Sequence, residues 1–149
     1  MANLRLDHIS VVVDDLEAGI SFFTALGMEE EGRAPIEGDW VDRVNGLEGI
    51  RIDIAMLRTP DGQGKLELTK FHSPAVIDPA PHNALGNTLG LRSIMFAVDD
   101  IDASVAALQA HGGELIGEVV QYENVYRLCY LRGPAGIIVA LAEQIDQPG

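Results

Sequence analysis

One cysteine, Cys129, stands in 149 residues, so no disulfide can form within the chain, and a reducing compartment fits that usage. Basic side chains are also scarce, 10 against 23 acidic ones, for a net charge of −13. Such a balance repels phosphate backbones and anionic lipid headgroups, which argues against nucleic-acid and membrane-surface partners and serves solubility. No apolar run approaches the roughly 20 residues of a membrane span. The first ten residues, MANLRLDHIS, lack the basic stretch and apolar run of a secretory signal. The expectation is a cytoplasmic protein. What remains is ordinary for a folded domain: 47% hydrophobic and 22% charged residues.

The chain repeats itself. Leu6 to Gly27 read LDHISVVVDDLEAGISFFTALG, and Leu91 to Gly112 read LRSIMFAVDDIDASVAALQAHG. An offset of 85 positions (93 − 8) sets Ser93 on His8, Asp99-Asp100 on Asp14-Asp15, and Gly112 on Gly27. A second echo pairs Arg58, Pro60 and Gly62 with Arg132, Pro134 and Gly136. Internal self-similarity sets architecture before any local motif does, and here it implies two copies of one small unit.

Each copy yields the same elements. The β-branched run Leu6 to Val13 favours a strand, and Asp14 or Asp15 can cap the helix that follows. Leu16, Ile20, Phe23 and Leu26 recur at helical spacing, and Gly27 supplies the stop. The polar stretch Gly32 to Gly49 reads as a weak strand or loop. Ile50 to Leu57 alternates as a strand, Pro60-Asp61-Gly62 turns, and Lys65 to Phe71 closes the module. The second copy repeats strand, helix (Ile101 to His111) and three strands, near Gly117 to Tyr122, Val125 to Leu131 and Ile137 to Ala142. The predicted fold is α+β: two tandem β-α-β-β-β modules forming a curved, partly closed mixed sheet around a cleft, helices outside. Residues 1–72 form the first module, 73–90 a proline-bearing linker and 91–149 the second, with Asp146 to Gly149 expected to be loose.

Side chains alternate across strands, so parity assigns faces. Ile9, Val11 and Val13 pack under the helix and leave His8 and Ser10 opposite; Leu66 and Leu68 likewise leave Lys65, Glu67 and Thr69. In the third strand, Ile50, Ile52, Ile54 and Met56 are assigned to the helix side and Arg51 and Asp53 to the cleft. The corresponding wall in copy two is read as Ser93, Met95, Arg127, Cys129, Leu131, Ile138 and Ala140, mostly apolar. A concave face with a few convergent polar groups is the default binding site.

The stretches DHISVVVDDLEAGISFFTALG, KLELTKF, LRSIMFAVDDIDASVAALQAHGG and YRLCYLRGPAGIIVALAE resemble the vicinal oxygen chelate superfamily, which groups glyoxalase, bleomycin-resistance and extradiol dioxygenase proteins. The resemblance runs from about Leu4 to Glu143. It implies metal ligands on the first and last strands of each module, at His8, Glu67, Ser93 and Ala140. Only His8 and Glu67 can serve, and the turn at Gly133-Pro134-Ala135-Gly136 lacks the family's acidic residues. A transition metal at such a site wants three or four nitrogen and oxygen donors, so a divalent metal cofactor is disfavoured. The resemblance further implies a homodimer and a small-molecule ligand. Binding in the cleft leads, with Ser10, Arg51, Asp53, Ser93, Met95, Arg127 and Cys129 as candidate ligand contacts; Arg127 either orients an anion or pairs with Asp53. Two alternatives stay open: a metal-dependent lyase, isomerase or epimerase, or a metal-independent enzyme with Glu67 as general base beside His8.

Overall fold

The computed structural model describes residues 4–145, so the tail Asp146 to Gly149 lies outside the described residues. Two compact units meet in sequence between Ile77 and Asp78, inside the stretch expected to join the copies. Each unit is a four-stranded mixed sheet with helix on it, so the fold is α+β, built from two β-α-β-β-β modules.

In the first module β1 (Ile9–Val12) leads into α1 (Leu16–Leu26), β2 (Glu29–Glu37), α2 (Asp39–Asn45), β3 (Arg51–Arg58) and β4 (Lys65–Ser73). The strand order is β1-β4-β3-β2, with β1 parallel to β4 and the other pairs antiparallel. Asp15 caps α1 by accepting from the Ala18 N–H at 3.0 Å, and Gly27 ends it at φ 126. Gly19, Ile20, Phe22 and Phe23 are the buried face of α1. A Cβ on Gly19 would sit 3.2 Å from a methyl of Leu68, so glycine lets helix and sheet approach closely. Truncating a fully buried phenylalanine such as Phe23 costs about 3–5 kcal/mol, the scale on which this packing holds the module together.

The second module follows the same plan: β5 (Ser93–Ala97), α3 (Ile101–Ala110), β6 (Glu114–Tyr122), β7 (Tyr126–Arg132) and β8 (Ile138–Gln144), in the order β5-β8-β7-β6. Asp100 repeats the cap, accepting from the Ala103 N–H at 3.1 Å. Ile101, Val105 and Leu108 bury the helix against the sheet. No described helix is long and apolar enough to cross a membrane.

Two expectations are corrected by the structure. The stretch from Gly32 to Gly49 holds the end of β2 and a complete helix, α2. Val41 of α2 packs with Ile50 and Ile52, against which Ile36, Ile54 and Phe71 also lie. This second layer explains the other correction, the face assignment of β3. Cross-strand partners share a face, and Ala55 pairs with Leu68, Leu57 with Leu66 and Asp53 with Lys70. Asp53, Ala55 and Leu57 are therefore on the α1 side, while Ile52, Ile54 and Met56 join Glu67 and Thr69 on the other. The isoleucines suggested burial under α1; they are buried by α2 instead. The same one-residue slip inverted β7, where Arg127 pairs with Glu143, Cys129 with Leu141 and Leu131 with Val139 on the α3 side. Leu128 and Tyr130 hold the face shared with Ala140, Met95 and Ser93.

Candidate functional site

On the face of the first sheet away from α1, His8 stands just before β1 and Glu67 on β4. Ser10 and Glu67 are register partners in the parallel pair, which brings the start of β1 beside the middle of β4. His8 Nε2 lies 3.5 Å from Glu67 Oε2. The other carboxylate oxygen, Oε1, accepts from the Thr69 hydroxyl at 2.9 Å. Thr69 is 4% exposed, so that donor is fixed by packing and holds the carboxylate in turn. On its far side the imidazole meets Asp7, whose Oδ2 is 2.8 Å from Nδ1. The hydrogen bond with His8, then the Arg5 guanidinium, hold the Asp7 carboxyl below its ordinary range. Both members of the pair stay reachable: the His8 side chain is 32% exposed and that of Glu67 23%. Across the strands Met56 is opposite Glu67 and Ile54 opposite Thr69, so an apolar floor continues from the polar pair toward α2.

The other candidate residues scatter. Arg51 is exposed at the start of β3, beyond a bulge between Arg51 and Ile52. Asp53 is on the opposite face, where its Oδ2 is 2.8 Å from His72 Nε2. The strand expected to end at Phe71 runs on to Ser73, so His72 is inside β4. Arg127 is on the face of the second sheet opposite to Ser93. It makes a two-pronged contact with Asp102 of α3, at 2.9 and 3.0 Å, which pulls the Asp102 carboxyl below its ordinary range. Cys129 is buried under α3, and burial pushes its thiol up. Ser93 and Met95 are exposed on β5, on the face of the second sheet that also holds Ala140, as expected for the duplicates of His8, Ser10 and Glu67. Thr69 and Asp7, which orient the pair, were not among the candidates; spacing of two from Glu67 along one strand face is the signal that marks Thr69.

As a metal centre the donor set falls short. His8 and Glu67 are one imidazole and one carboxylate, and among the described residues no third His, Cys, Asp or Glu joins them in a group able to hold an ion. A resident transition metal generally takes three or four protein donors of this kind, so the residues present do not fit one.

The fold defines a class. A family model of the Glyoxalase/Bleomycin resistance protein/Dioxygenase superfamily matches residues 5–141, and the chain belongs to that superfamily. It is 49% identical to a glyoxalase family protein from Bacillus cereus whose crystal structure superposes with a TM-score of 0.92, covering 98% of this chain and 99% of that one. It is also 28% identical to the uncharacterized protein YwbC of Bacillus subtilis (strain 168), over 89% of this chain and 91% of that one. With the uncharacterized protein YaeR of Escherichia coli (strain K12) it shares 27% identity over 94% and 96% of the two chains.

Proposed function

We propose that the protein binds a small organic molecule on the first module's open sheet face, with His8, Ser10 and Glu67 as polar anchors beside an apolar floor of Ile54 and Met56. The observation that carries this reading is the 3.5 Å approach of His8 to Glu67 at the edge of that floor. A few oriented polar groups against apolar surface are what position a small ligand. Membership of the superfamily supports ligand binding but does not choose between binding protein and enzyme, because one fold hosts many chemistries. Two protein donors favour ligand binding that does not depend on a resident metal. The test is a thermal-shift screen of aromatic and aliphatic small molecules, run with and without EDTA. Compounds that stabilise the protein equally in both conditions, and about tenfold more weakly in Glu67→Gln, are expected. Stabilisation that appears only with added nickel, zinc or manganese would sink the reading.

A second reading has its own observation. Thr69 engages one oxygen of Glu67 and leaves the other beside the imidazole, an arrangement that suits a general base with a neighbouring proton carrier. On that reading any turnover of a bound compound falls at least about a hundredfold in Glu67→Gln while binding persists. Turnover that survives the substitution removes it.

A further inference from the structure

We infer that the ligand of the first module's open face is a primary amine, its ammonium group held between Glu67 and His8 and its apolar part lying over Met56 and Ile54. The inference rests on the reading of that face as a ligand site and adds the charge and the donor count of what binds there.

The charge follows from how the ionic side chains of this face are paired. Lys65 precedes Glu67 by two residues on β4 and shares its face, but its Nζ is 3.1 Å from Glu31. Arg58, opposite Lys65 on β3, approaches Glu29 at 3.9 Å. Arg5 is 2.9 Å from Asp7. Arg51 is at the other end of β3 from Arg58, and Arg33 and Lys70 belong to the face under α1. Among the described residues no lysine or arginine closes on Glu67, although its side chain is only 23% exposed. A carboxylate drawn that far out of water beside apolar side chains is held at a cost unless a cation and hydrogen-bond donors meet it. Glu67 has one donor, the Thr69 hydroxyl on Oε1, and among the described residues Oε2 has none.

His8 does not supply what is missing. A carboxylate offers only lone pairs, so the 2.8 Å contact with Asp7 takes the hydrogen on Nδ1 and leaves Nε2 an acceptor. An imidazolium would carry a second hydrogen on Nε2 and draw the carboxylate in to under about 3 Å. The observed 3.5 Å exceeds hydrogen-bond range. Two acceptors therefore face each other with no hydrogen between them. Ser10, the register partner of Glu67, adds a hydroxyl that has no partner among the described residues. An ammonium group has three N–H donors and no lone pair, one donor each for Glu67 Oε2, His8 Nε2 and Ser10 Oγ. An alcohol brings one hydrogen and no charge, and a quaternary ammonium brings the charge without a donor. Neighbouring strands are about 4.8 Å apart, so a two-carbon tether from the ammonium reaches Met56, opposite Glu67 on β3. Beyond Met56 comes Gly32 of β2, where a Cβ would meet nothing within 4 Å, so β2 leaves that part of the floor open.

The experiment follows backbone amide shifts in ¹H–¹⁵N spectra of the full chain while phenethylamine hydrochloride is added at neutral pH. Sodium chloride at about 0.15 M screens surface charges beyond about 8 Å. Expected are saturable shifts at Met56, Glu67 and Thr69 with a dissociation constant of about 0.1–1 mM, as befits a ligand of few atoms. Phenethyl alcohol and the trimethylammonium derivative should each bind at least about tenfold more weakly. Glu67→Gln should weaken the amine at least about tenfold and leave phenethyl alcohol unchanged, which also shows that the variant is folded. Asp14→Asn removes the same charge at the β1–α1 corner and should change nothing. Alcohol or trimethyl derivative binding as tightly as the amine, amine affinity indifferent to Glu67→Gln, or an equal loss in Asp14→Asn would each overturn the amine assignment while leaving the face a ligand site. If neither amine nor alcohol moves Met56, Glu67 and Thr69, the reading beneath it falls as well.

Discussion

Gly62 and Gly136 close equivalent turns in the two modules, yet their surroundings differ. Both have left-handed backbones, at φ 75 and φ 74. A Cβ at Gly62 meets nothing within 4 Å, whereas one at Gly136 would come within 2.6 Å of the His82 carbonyl oxygen and 2.8 Å of Asn83 Oδ1. Arg132 binds that segment down, donating to the Gly136 carbonyl at 2.9 Å and to the Ala84 carbonyl at 2.6 Å. Gly62→Ala should therefore cost only backbone strain, about 1–2 kcal/mol, while Gly136→Ala adds a collision with backbone and should exceed about 3 kcal/mol by urea denaturation. Equal losses would mean that the segment around His82 gives way freely. Cys129 offers a second residue-level test. The thiol is 4% exposed, and burial disfavours its thiolate. An aromatic disulfide reagent should label it slowly in native buffer and promptly in denaturant; fast native labelling would contradict the packing under α3.

At the scale of elements, α3 is tied to its sheet by charge as well as by packing. The guanidinium of Arg127 holds the Asp102 carboxyl below its ordinary range. A depressed carboxyl contributes stability above the unfolded carboxylate range, near pH 3.9, and loses it as pH falls through the lower folded value. Unfolding midpoints of the native protein should accordingly fall more steeply between about pH 5 and about pH 2 than those of Asp102→Asn. The difference should be small and shrink in high salt because the pair is exposed. Parallel pH profiles would show that the pair adds nothing. Elements also show where the sequence was readable. The duplicated Asp-Asp before each helix announced both caps, helical spacing marked α1, and the repeat carried that assignment over to α3. The faces of β3 and β7 were not readable, because β3 is apolar on both sides and α2, seven residues without a side-chain cap, leaves little trace in a polar stretch. A strand buried on both faces gives parity nothing to decide, and an error of one residue then exchanges the faces.

For the whole molecule, the repeat carried most of what could be read: two modules built on one plan, with Ser93 in the place of His8. Strand parity set His8 and Glu67 on one face and the superfamily resemblance paired them, whereas the partners of Arg127 and Asp53 depended on register and could not be read. Net charge is the remaining global property with a measurable consequence. At −13 the folded chain repels itself, and compaction brings those carboxylates closer than the unfolded chain does. Salt acts on both signs of interaction. It weakens ion pairs such as Arg33 with Glu17 and Arg127 with Asp102, but exposed pairs contribute at most about 1 kcal/mol each. It also shortens the reach of the excess negative charge, to about 10 Å at 0.1 M and about 3 Å at 1 M. With 13 unmatched negative charges, relief of repulsion should win. Raising sodium chloride from about 0.01 to about 1 M at neutral pH should lift the thermal midpoint by about 2–4 °C, the response of a domain this size to roughly 1 kcal/mol. A midpoint that falls with salt would mean that the ion pairs outweigh the repulsion, and that the acidic surface is arranged to be held rather than merely to stay dissolved.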